Sequence, residues 1–117
     1  MNDMLNKNIA IIGLGYVGLP LALAFSKHFD TVAYDNNKER IKSLINGHDW
    51  TSEVDDIVLK SNNKIKYTNN TDEIASCNIF IITVPTPIDN FNKPDLSPLI
   101  SVSKTIGSLI KEGDIII

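Results

Sequence analysis

Apolar positions along the chain fall into short runs of two kinds, and their alternation predicts the fold. "NIAIIGL" (Asn8 to Leu14), "TVAYD" (Thr31 to Asp35) and "NIFIITVP" (Asn78 to Pro85) are short apolar stretches rich in β-branched residues. Stretches of this kind suit strands buried on both faces of a sheet. "KIKYTN" predicts a weaker strand, and the closing "DIII" predicts the start of a fifth. Between the strands the apolar residues recur at helical spacing. "GLPLALAFSKHF", Gly18 to Phe29, predicts a helix with Pro20 in its first turn, where a missing N–H costs little. "NNKERIKSLING" places Ile41, Leu44 and Ile45 on one side and Gly47 at the C-cap. Leu99, Val102, Ile106, Leu109 and Ile110 share a face of a later helix, with Ser97 and Pro98 at its start and Gly113 at its end. Two shorter helices are predicted, one near Glu53 to Lys60 and one in "TDEIASC" capped by Thr71. "TPIDNFNKPD" is punctuated by proline and predicts a loop.

Strands that alternate with helices predict an α/β fold. It is a Rossmann-type doubly wound parallel sheet, truncated in the fifth strand. Composition narrows the function. The 117 residues suit one domain or part of one, 43% apolar and 21% charged. A net charge of -3 supplies no basic field for nucleic acid or an anionic membrane surface. No apolar run approaches the roughly 20 residues of a membrane span, and "MNDMLNKN" lacks a signal-peptide core. A cytoplasmic location is therefore expected. Cys77 is the one cysteine, so neither an internal disulfide nor a thiolate metal cluster is expected.

The chemistry concentrates at the end of the first strand. Gly13, Gly15 and Gly18 form G-x-G-x-x-G at the junction of a strand and a helix. Gly13 permits the tight turn, Gly15 leaves room for a pyrophosphate, and Gly18 lets helix and strand pack closely. The unpaired N–H groups around Tyr16 and Val17 then face an anion. Asp35 ends the second strand near the offset of about 20 residues at which a carboxylate meets the ribose. It also repels a 2′-phosphate, so NAD is expected over NADP; Asn36 and Asn37 follow it rather than arginines. In an open parallel sheet the ligand crevice lies where strand order reverses, here between the first strand and "NIFIITVP". Thr83, Pro85 and Thr86 should face that crevice, a threonine hydroxyl bonding cofactor phosphate or ribose and the proline stiffening the wall. Taken alone, the first 35 residues also suit a dehydrogenase of the 6-phosphogluconate or hydroxyisobutyrate type. A stand-alone NAD(H)- or nucleotide-sensing regulatory domain is the reading from another class.

Several motifs together resemble the NAD-binding domain of the UDP-glucose/GDP-mannose dehydrogenase family. They are "IGLGYVGLPLA", "YD" followed by Arg40, "VPTPID", "PDLSPL" and "EGDIII". "GHDWTSEV" with "TVPTPID" is most similar to the branch that oxidises UDP-N-acetylhexosamines, including enzymes of Vi-type polysaccharide synthesis, although Ser52 stands where glycine is expected. The resemblance implies oxidation of a nucleotide-sugar C6 alcohol to a carboxylate, in two hydride transfers to NAD. A downstream cysteine, and groups from a middle helical region and a C-terminal domain, assist in that family. None of these lies within the 117 residues, read as a partial N-terminal domain, so no catalytic residue and no activity of this piece alone are expected. UDP-sugar is the implied substrate, and the full-length protein is expected to be a homo-oligomer. By the match, Tyr16, Val17, Asp35, Arg40 and Thr86 carry over as cofactor contacts, Arg40 on the adenosine side.

Other chemically capable residues have plainer readings. Cys77 lacks the glycine-flanked context of the family nucleophile and is read as a structural thiol. His28 and His48 have no partner at metal spacing, and no metal site is expected. Asp55 and Asp56 read as a charged helix face, and Asp89 and Asp95 as loop residues. Trp50 is assigned neither to the core nor to a ligand.

Overall fold

The computed structural model describes residues 7–62 and 64–117; the polar N-terminal segment up to Asn6, read above for a signal peptide, lies outside them. Five strands form one parallel sheet: β1 Asn8–Ile12, β2 Asp30–Tyr34, β3 Ile65–Thr68, β4 Ile79–Ile82 and β5 Ile115–Ile116. Their order is β3-β2-β1-β4-β5. The chain winds outward from β1 to β3, then returns to the other side of β1. The reversal lies between β1 and β4, as the sequence predicts, and carboxyl ends of strands at such a point form a crevice.

The helices are α1 Gly18–Ser26, α2 Lys38–Ile45, α3 Asp56–Ser61 and α4 Ser97–Gly107. Several bounds differ from the sequence expectation, each for a local reason. α1 stops at Ser26 rather than Phe29 because the N–H groups of Lys27 and His28 take carbonyls three residues back, which tightens the last turn. α3 begins at Asp56 because the preceding residues wrap around the Asp49 carboxylate, which accepts from the N–H groups of Thr51, Glu53 and Val54. Thr71–Glu73 is a single 3₁₀ turn, and Asn70 rather than Thr71 caps it through Oδ1 to the Asp72 N–H. At α4 the capping oxygen is Asp95 Oδ1, which accepts from both the Ser97 N–H and hydroxyl. That helix ends at Gly107, and Gly113 serves the later turn into β5.

β1 is buried on both faces, and its alternate residues belong to two cores. Ile9 and Ile11 pack with Leu14, Leu19, Leu23, Ile41, Leu44 and Leu59 under α1, α2 and α3. Ala10 and Ile12 pack with Ile74, Cys77, Phe80 and Ile106 on the opposite face, under α4. A fully buried side chain such as Phe80 contributes about 1.5–3 kcal/mol. These two cores hold the ends of β1, β2 and β4 level with one another.

Candidate functional site

The loop after β1 is anchored at its first two residues, where every backbone N–H and carbonyl has a partner. The Gly13 N–H donates to the Tyr34 carbonyl at 2.8 Å, and the Gly13 carbonyl accepts from Thr83 Oγ1 at 2.6 Å. The Leu14 N–H donates to Asp35 Oδ2 at 2.9 Å. The Leu14 carbonyl accepts from Arg40 Nε at 2.8 Å and Nη2 at 2.6 Å. Gly13 has φ +98°, a conformation that strains any side chain, and a Cβ there would also press on the Thr83 carbonyl. A Cβ on Gly18 would collide with the Gly13 carbonyl.

Gly15 differs from both. A Cβ there would meet no atom within 4 Å. The protein's own packing gives no reason for glycine at this position, so the open space in front of it is free for a ligand. The N–H groups of Gly15, Tyr16 and Val17 have no protein acceptor among the described residues, and α1 has no side-chain cap. Unpaired donors at a helix N-terminus attract an anion. Tyr16 is 68% exposed and Val17 is exposed beside it.

Asp35 sits half-buried at the end of β2. Its Oδ1 accepts from the Asn37 N–H at 2.9 Å, while Oδ2 holds Leu14. Each carboxylate oxygen has a further lone pair for a hydroxyl donor. The carboxylate lines a cavity of about 330 Å³, large enough for a small-molecule ring. Ile12, Ile74, Val84 and Val102 give that cavity apolar walls, and Pro85, Pro98, Ser101 and Thr105 complete one side.

The structure adds protein partners to two residues read as cofactor contacts. The Arg40 side chain, expected on the adenosine side, is buried, at 2% exposure, with its guanidinium on Leu14 and on Asp49 Oδ1 at 2.7 Å. A buried guanidinium needs acceptors on its whole edge, and the loop carbonyl and Asp49 supply them. Thr83 was expected to offer its hydroxyl to a cofactor; that hydroxyl instead faces the Gly13 and Ile12 carbonyls. The β4 end thereby supports the loop from the other side. Pro85 lines the cavity, while Thr86 is exposed and outside its lining.

Asp49 escaped the sequence reading as an individual residue. It is 1% exposed, and burial alone would raise its carboxyl. Hydrogen bonds from Thr51, Arg40 and Val54 outweigh burial and lower it to about 2. Its only signal was membership of "GHDWTSEV". The cavity-lining residues Pro98, Ser101, Val102 and Thr105 were missed too, although their spacing marks one helical face. Cys77 is buried, and burial pushes its thiol up to about 11, in keeping with a structural role. Trp50, unassigned from sequence, is half-exposed and lies over the Arg40 guanidinium, 5.4 Å from carbon Cζ to ring centroid.

Known proteins point the same way. Residues 7–117 match the NAD binding domain of the UDP-glucose/GDP-mannose dehydrogenase family. The chain is 47% identical over 114 residues to UDP-N-acetyl-D-glucosamine 6-dehydrogenase of Pseudomonas aeruginosa, covering 97% of this chain and 27% of that protein. It is 49% identical over 109 residues to the enzyme of the same name from Salmonella typhi, covering 93% and 26%. Its fold superposes on the structure of UDP-D-ManNAc dehydrogenase from Pyrococcus horikoshii with a TM-score of 0.83 and 35% identity, over 94% of this chain and 27% of that one. The chain thus spans about a quarter of the length of the relatives it matches.

Proposed function

Because the chain belongs to the UDP-glucose/GDP-mannose dehydrogenase family, as its NAD-binding domain, we propose that the full-length protein oxidises the C6 alcohol of a UDP-N-acetylhexosamine to the uronate. That change removes two hydrides, which two molecules of NAD accept in turn, and water supplies the second carboxylate oxygen. The sugar class is taken from the two relatives at 47% and 49% identity, which are UDP-N-acetyl-D-glucosamine 6-dehydrogenases. Surface polysaccharide synthesis, a cytoplasmic location and a homo-oligomeric enzyme complete the reading.

The observation that carries the site is Gly15, a glycine whose missing side chain serves no contact within the protein. The pyrophosphate fits the space in front of it, received by the N–H groups of Gly15, Tyr16 and Val17. Gly13 and Gly18 maintain the turn and the close helix packing behind them. Asp35 receives the adenosine ribose hydroxyls and, by its charge, disfavours a 2′-phosphate. The apolar cavity between Ile12, Val84 and Val102 suits the flat adenine ring. Pro85 walls that cavity, Thr83 steadies the loop, Thr86 lies at the crevice rim, and Arg40 holds the loop from the adenosine side.

The test uses the purified full-length protein with NAD or NADP and a panel of nucleotide sugars, followed by NADH absorbance. Turnover is expected with NAD and UDP-N-acetylglucosamine or UDP-N-acetylgalactosamine. Turnover confined to UDP-glucose or GDP-mannose would overturn the sugar assignment. Failure to bind NAD would overturn the reading of the site.

A further inference from the structure

The Arg40–Asp49 pair is more than the mooring of a surface turn. Asp49 accepts five hydrogen bonds: on Oδ1 from Arg40 Nη1, the Thr51 N–H and the Thr51 hydroxyl, and on Oδ2 from the Glu53 and Val54 N–H groups. Both oxygens are occupied, and every partner is a donor. An amide at this position would have to turn its own N–H₂ toward one of those donors. The arrangement requires a carboxylate.

The guanidinium carries this constraint to the glycine loop. Its plane is fixed by Asp49 at one corner and by the Leu14 carbonyl along the opposite edge. The Leu14 carbonyl and the Gly15 N–H belong to one planar trans peptide, so they point in opposite directions. Drawing the carbonyl inward to Arg40 aims the Gly15 N–H outward, away from the protein. The peptide before it is fixed in the same manner, with the Leu14 N–H on Asp35 and the Gly13 carbonyl on Thr83. Two successive peptides are locked, and the Gly15 N–H is left without a protein acceptor among the described residues.

We propose that Asp49 is a positioning residue for cofactor binding: by holding Arg40 against the Leu14 carbonyl, it aims the Gly15 N–H at the pyrophosphate. This rests on the reading of the glycine loop as a dinucleotide site. Asp49 and Arg40 need not touch the cofactor to act. A lysine at position 40 would keep the charge, but a single ammonium lacks the planar fork that spans both acceptors.

The experiment measures binding of NAD, ADP and adenosine to the full-length protein by calorimetry and ligand-observed NMR, in the wild type, Asp49→Asn, Arg40→Lys and the double variant. Losing a charge-assisted hydrogen bond corresponds to about tenfold in affinity or more. NAD and ADP, which carry the pyrophosphate, should weaken by that factor in each single variant. Adenosine, which lacks it, should stay within about twofold. The double variant should be little worse than the poorer single variant, since both act through one carbonyl. A merely structural role would lower thermal stability while leaving the ratio of ADP to adenosine affinity at its wild-type value, and that result overturns the proposal. If Asp49→Asn does not fold, Arg40→Lys is read on the same ratio. Gly15→Val separates the two claims. Loss of ADP binding there, with an unchanged ratio in Asp49→Asn, ends this proposal and leaves the site standing. Wild type that binds neither NAD nor ADP ends both.

Discussion

The two faces of the sheet are built from the same strand and finished differently. Under α1, α2 and α3 the space is filled by aliphatic side chains, and its polar centre is closed by Arg40 and Asp49. Under α4 the core is smaller, around Phe80 and Ile106, and beside it the cavity stays open at the strand ends. The first face fixes the backbone of the glycine loop, and the second leaves a cavity with apolar walls beside its core. On the reading proposed above a dinucleotide uses both, its pyrophosphate at the loop and its adenine in the cavity.

The largest expected effect comes from the loop where the faces meet. Gly15→Val should weaken NAD binding by about a hundredfold or more, roughly 3 kcal/mol, while folding stability changes by less than about 0.5 kcal/mol. Calorimetric titration and thermal unfolding of the same samples check this. A matching loss of stability would mean that the glycine belongs to the packing after all. Gly18→Ala makes the contrast, since its Cβ meets the Gly13 carbonyl; it should destabilise the fold by about 1–3 kcal/mol.

Filling the second face tests whether its room is used. Ser101→Trp places a large side chain at the cavity wall from an exposed position on α4. NAD affinity should fall by about tenfold or more, with little change in unfolding midpoint. Unchanged affinity would place the adenine elsewhere. Asp35→Asn bears on the boundary between the faces. It should narrow the preference for NAD over NADP by about tenfold, through loss of charge repulsion and of a charged hydrogen bond. Equal titrations of the two cofactors by wild type would remove the basis for this expectation.

Acid should act on the first face. The Asp49 carboxyl is lowered in the folded protein from 3.8 to about 2. Its contribution to stability is therefore complete above a pH of about 4 and fades as pH falls toward 2. Denaturant midpoints across that range should decline more steeply in wild type than in Asp49→Asn; parallel curves would count against the lowered carboxyl. The smallest effect is expected at Ser52, which adopts a left-handed φ of 58° in the turn around Asp49. Ser52→Gly should raise stability by about 0.5–1 kcal/mol, because serine is strained there and glycine is not. A lower unfolding midpoint in that variant would show that the serine side chain contributes more than its backbone strain costs.

The Ser52 geometry also accounts for the glycine expected at that position. Where the resembling branch was expected to carry glycine, this chain forces a serine into a conformation that favours glycine. The strand order, the reversal beside β1 and the roles of Gly13 and Gly18 were legible because period, punctuation and local turn chemistry are written in adjacent residues. The protein partners of Arg40 were not legible, because Leu14 and Asp49 lie 26 residues before it and 9 after it. The acceptors of a charged side chain are not written in the helix that carries it. The α4 wall was missed for a related reason: Pro98, Ser101 and Thr105 look like an ordinary exposed face until the cavity beside the second core is seen.

Leu14 serves two systems at once. Its side chain is sealed in the first-face core, while its peptide groups set the attitude of the loop. The loop therefore shares its support with the aliphatic core beneath it, and a resettling of those side chains should alter the direction of its donors. Anyone selecting variants of this domain for heat tolerance, at Leu44 or Leu59 for example, would be selecting on cofactor affinity in the same step.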